Sequence, residues 1–65
     1  MRRGERIALY DWVDENKNKS GKEKIVTCTQ MDYQTIRAQL AKRPYADYEI
    51  VENNRDTKTL RVFIL

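Results

Sequence analysis

The apolar positions between Thr29 and Pro44 fall at helical spacing. Tyr33, Ile36 and Leu40 recur three and four residues apart, with Ala41 beside Leu40. They form one narrow stripe of the kind that lies on a sheet. Thr29 stands where an N-cap belongs, because its hydroxyl can accept a bond from a free N–H of the first turn. Asp32, three residues on, supplies a capping-box acid and suits the positive end of the helix dipole. Arg37, Lys42 and Arg43 fill the opposite face and the last turn. Pro44 disfavours helical geometry at Arg43 and ends the element. The pattern predicts a helix from Gln30 to Arg43.

Elsewhere the period is two. From Lys24 to Thr29, residues Ile25, Thr27 and Thr29 share one face, while Val26 and Cys28 share the other and are placed to bury against the helix. Tyr48 to Glu52 alternates with Tyr48 and Ile50 together. Asn53 to Thr57 is turn-prone, and Thr59 to Leu65 alternates again, so the two runs make a hairpin. Arg61 to Leu65 is the most apolar stretch, on both faces near its end. That suits a central strand, or an edge covered by another chain. Arg6 to Val13 is open to two readings. As a helix it has the stripe Ala8, Leu9, Trp12 and Val13; as a strand it uses more of its apolar residues and suits their aromatic and β-branched character. The strand reading is preferred. Asp14 to Lys22 is polar throughout and, with Asn18, Ser20 and Gly21, reads as a long loop. The sum is a single small α+β domain over residues 1–65, of order ββαββ, with one helix packed on a mostly antiparallel sheet.

Composition sharpens this picture. A chain of 65 residues buries only about 60% of its unfolded surface, and its one cysteine, Cys28, allows no internal disulfide. Self-association or docking on a partner is the expected supplement to so small a core. The charged N-terminus (Arg2, Arg3, Glu5, Arg6) is followed by too short an apolar run for a signal peptide, and no stretch approaches a membrane span. A lone thiol fits a reducing compartment, so a cytoplasmic protein with no membrane partner is expected. The net charge is +3, but its distribution matters more. Lys17, Lys19, Lys22 and Lys24 lie close together, whereas Asp47, Glu49, Glu52 and Asp56 make a later segment acidic. The fold can present two unlike faces.

Catalytic chemistry is scarce. With no histidine, the commonest general base and metal ligand is missing, and with it every Ser-His or Cys-His dyad. No Cys-x-x-Cys pair, phosphate-binding glycine loop or dinucleotide fingerprint occurs. Asp14 and Glu15 are adjacent in a polar stretch and do not converge. Neither an enzyme nor a cofactor or metal is expected. Two constellations suit binding. The first is the sheet face left uncovered by a single helix, where Tyr10, Trp12, Arg61 and Phe63 are candidate anchors for a protein partner. The second is a basic set, Arg2, Arg3, Arg6, Lys17, Lys19, Lys22 and Lys24, which would neutralise phosphates if the partner were a nucleic acid. A homodimer through the Arg61–Leu65 edge or the open sheet face is a third reading.

The layout of two strands, a capped helix and further strands resembles several short phage-encoded proteins. These bind and inhibit host enzymes, as the small phage inhibitor of bacterial RNA polymerase does, or act against host defence systems. The resemblance is one of size and order and carries over no functional residue. It implies a regulatory, inhibitor-like binding role.

Overall fold

A computed structural model describes residues 1–65. The elements run α1 (Arg3–Glu15), β1 (Glu23–Thr29), α2 (Gln30–Leu40), β2 (Ala46–Asn53) and β3 (Thr57–Ile64). The most apolar segment, β3, is the centre of a three-stranded sheet of order β1-β3-β2, with both pairings antiparallel. The fold is α+β, with two helices on one sheet face instead of one. Its order is αβαββ rather than ββαββ. The layout on which the phage-protein resemblance rested is therefore not the layout found.

The difference lies in Arg6–Val13, which is helical and forms the body of α1. Leu9 and Val13, four residues apart, are both fully buried on the sheet. A strand would have sent Asp11 to the same face as Leu9, whereas the helix turns Asp11 to solvent. The cost is Ile7, left 47% exposed.

The remaining elements follow their local patterns. Thr29 caps α2, its hydroxyl accepting the Asp32 N–H at 3.1 Å. Ile36 and Leu40 are buried and Tyr33 half-buried. The helix ends at Leu40, three residues before the expected Arg43; the chain then continues as turns whose N–H groups bond back to Arg37, Gln39 and Leu40. The expected long loop is shorter at its start, because α1 absorbs Asp14 and Glu15. Asn16 then closes the helix, its side-chain amide donating to the Trp12 carbonyl at 2.7 Å. Gly21, at φ 91°, turns the chain into β1 through a conformation open to glycine.

Register fixes what each face carries. Leu60, Val62 and Ile64 of β3 are almost wholly buried and meet Val26, Lys24, Tyr48 and Ala46 on neighbouring strands. This face, with Cys28, receives Leu9 and Val13 from α1 and Ile36 and Leu40 from α2. Both helices thus cover one side, and the other side of the sheet stays open. α1 lies over β1, with Lys24 Nζ 5.9 Å from the Trp12 ring. α2 lies toward β2, where the Tyr33 and Tyr48 rings meet edge-on at 6.0 Å. Because β3 is central, the Arg61–Leu65 segment is no free edge, and dimerisation by strand addition there is ruled out by its two occupied flanks.

Candidate functional site

The open sheet face is assembled from alternate residues of three strands. Arg61 of β3 stands opposite Ile25 on β1 and Glu49 on β2; Phe63 stands opposite Glu23 and Asp47. The Arg61 guanidinium donates from Nε to Glu49 at 2.7 Å and from Nη1 to Glu23 at 2.6 Å. It also lies 4.3 Å from the Phe63 ring centroid. A cation is thereby held over an aromatic ring by two carboxylates on opposite strands. The hydrogen bond from Arg61 holds the Glu49 carboxyl below its ordinary value, and Glu49, then Glu23, hold the guanidinium up. Next to this cluster Ile25 is 55% exposed, and the Thr27 and Thr59 hydroxyls pair at 3.1 Å. Glu23 and Glu49 flank the single guanidinium, and Asp47 and Glu52 stand on the same face opposite Phe63 and Thr59, so the face is acidic around a small apolar centre.

Of the four expected protein-contacting residues, only Arg61 and Phe63 lie on this face. Tyr10 and Trp12 are on α1, on the opposite side of the sheet, because the segment carrying them is a helix. Both are half-buried. Arg43 lies 5.3 Å from the Tyr10 ring, and burial pushes the Tyr10 phenol above its ordinary value. The Tyr10 hydroxyl is buried and has no hydrogen-bond partner. Arg43 is itself tied to Asp14, Nε to Oδ1 at 2.8 Å, and to the Gln39 carbonyl at 2.7 Å. Tyr45 also donates to Asp14. Hydrogen bonds from Arg43, then Tyr45, hold the Asp14 carboxyl low. This clasp joins the end of α1 to the end of α2, and Tyr10 packs beside it in the helix layer.

The basic residues do not form one patch. Arg2 and Arg3 are exposed at the start of α1, and Lys17, Lys19 and Lys22 are exposed beyond its end. The thirteen-residue helix, about 20 Å long, runs from one group to the other. Arg6 pairs with Asp32 at 3.4 Å, beside the N-terminal amino group at 3.0 Å. That amino group is the leading reason the Asp32 carboxyl is held low. Lys24 points to the helix side and lies over Trp12.

Sequence reasoning missed Glu23, Ile25 and Glu49. Their role depends on which strands flank β3, and alternation alone does not give strand order. The thiol of Cys28 is buried as expected of a small apolar residue, and burial raises its pKa. The largest depression, about 410 Å³, lies between the end of α2, Pro44 and β2, and is lined by Arg37, Leu40, Arg43, Asp47, Tyr48 and Leu65 among others. No three His, Cys, Asp or Glu side chains converge as a metal site, and no helix is long and apolar enough to cross a membrane. Against family models, curated proteins and solved structures, the chain matches none.

Proposed function

We propose that this chain is a non-enzymatic binding module whose open sheet face docks on a basic patch of a protein partner and occludes it. The supporting observation is the Arg61–Phe63 stack, pinned between Glu23 and Glu49 and bordered by the exposed Ile25. Pre-ordered Arg and aromatic groups lose little freedom on docking and dominate protein interfaces. The carboxylate rim attracts lysine and arginine on the other side and repels phosphate.

The test is affinity capture from lysate with the wild-type chain and with Glu49→Lys and Phe63→Ala variants. The wild-type retains one protein that both variants lose. Equal retention by all three, or recovery of nucleic acid alone, overturns the reading.

A second reading, nucleic-acid binding, draws on Lys24 over Trp12 with Lys22 close in sequence. It predicts a complex with generic DNA or RNA that weakens steeply as salt rises. A mobility-shift series at low salt with no complex excludes it.

A further inference from the structure

The sheet has two free edges, and they are unlike. β2 carries Asp47, Glu49 and Glu52, and its register is broken between Ile50 and Glu52. Charges and a bulge are devices that discourage strand addition. β1 has no such break, and its seven residues, Glu23–Thr29, read E-K-I-V-T-C-T. We infer that two copies of this chain join along β1, antiparallel about a two-fold axis at Val26, to make one six-stranded sheet.

The register follows from bonds already present. Ile64 donates to the Lys22 carbonyl at 2.8 Å, so in the antiparallel alternation Lys22, Lys24, Val26 and Cys28 direct their backbone groups at β3. Glu23, Ile25 and Thr27 therefore direct theirs outward, unpaired, while Thr29 offers only its N–H, its carbonyl being taken by the first turn of α2. A two-fold axis at Val26 sets Ile25 opposite the partner's Thr27 and Glu23 opposite the partner's Thr29. Ile25 and Thr27 then exchange bonds in both directions with their mates, and the Glu23 carbonyl accepts the partner's Thr29 N–H. Centring the axis on Ile25 or Thr27 instead leaves the end of the strand without a mate. At Val26 no like charges oppose one another along the strand: Lys24 faces the partner's Cys28, and Val26 faces its own copy.

The helix layer fits the same axis. The N-terminal amino group bonds Asp32 near the end of β1, and Trp12 lies under Lys24 near its start, so α1 runs antiparallel to β1. Glu5, Ala8 and Trp12 fall in one row along α1. A shallow groove of about 290 Å³ between α1 and β1 is lined by Met1, Glu5, Ala8, Lys24 and Val26 among others. The axis at Val26 brings Ala8 toward the partner's Ala8, where a small side chain lets the helices approach. It brings Glu5, at the Thr27 end, toward the partner's Lys24, which arrives opposite Cys28 on the helix side. The contact is self-complementary, as an isologous interface must be. This assembly goes beyond the docking reading: it doubles the acidic open face but does not depend on that face binding anything.

The experiment is sedimentation equilibrium of the purified chain at physiological salt, with far-UV circular dichroism as a check on folding. The wild-type reads as a dimer. Ile25→Pro removes an outward N–H without touching the bonds to β3, and reads as a folded monomer. Glu5→Lys and Lys24→Glu each raise the dissociation constant roughly tenfold, because the two-fold repeats each contact, and the double exchange restores it. If Ile25→Pro unfolds, the charge exchange decides. A wild-type monomer at every concentration, or a dimer indifferent to both charge reversals, overturns the proposal. Partner capture is not involved, so failure here leaves the docking reading standing.

Discussion

The two faces of β3 are built by opposite rules. Leu60, Val62 and Ile64 are sealed under two helices, whereas Thr59, Arg61 and Phe63, one residue out of phase, meet only their neighbours on β1 and β2. One face is held by area removed from water; the other by hydrogen bonds and a cation–π stack beside solvent. The sealed face supplies stability, and the open face has its side chains ordered without a covering layer. Side chains already paired with one another lose little further freedom on contact, which is what favours such a face in the proposed docking.

Five substitutions break or sharpen this contrast. Leu60→Ala empties the middle of the sealed face and costs about 3 kcal/mol, a large share of the margin of so small a domain; denaturant unfolding should show a sharply lowered midpoint. Arg43→Ala opens the clasp between the two helices and costs about 1–2 kcal/mol, discounted for the partly exposed Asp14. The clasp also has a pH signature. The carboxyls of Asp14 and Glu49 lie below their ordinary values of 3.8 and 4.5. Their stabilisation is therefore complete above those values and is lost as the pH falls through the lowered ones. Acid titration followed by circular dichroism should show this limb, and Asp14→Asn should reduce it, leaving the shares of Glu49 and Asp32. Thr29→Ala removes the α2 cap and costs about 1 kcal/mol, measurable by thermal unfolding. Ile25→Thr, on the open face, stays within about 0.5 kcal/mol of wild-type by the same measurement. A large loss there would show that the open face contributes to the core after all.

Legibility followed the range of the interactions. α2 was readable because a cap, a stripe and a proline are all local. The β2–β3 hairpin was readable because alternation and a polar break are local too. α1 was not, since Leu9, Trp12 and Val13 fit either period. The choice is made by the sheet, which has room for Leu9 and Val13 together. That one reversal moved Tyr10 and Trp12 to the helix layer and left Arg61 and Phe63 where alternation had put them. Glu23 lies 38 residues from Arg61 along the chain, and no local pattern joins them. The same holds for the clasp of Asp14 with Arg43, 29 residues apart.

The middle strand of the sheet is also its last to be synthesised. As the chain emerges from a ribosome, β1 and β2 appear with no neighbour to pair with, and neither can be satisfied by the other. The hairpin of β2 with β3 is the local closure, whereas β1 meets β3 only across α2 and β2, a contact of much higher sequence separation. Until that contact forms, both edges of β1 are bare, the one that pairs with β3 and the one proposed to join two copies. Nascent chains crowded on one message would meet there before either had finished folding.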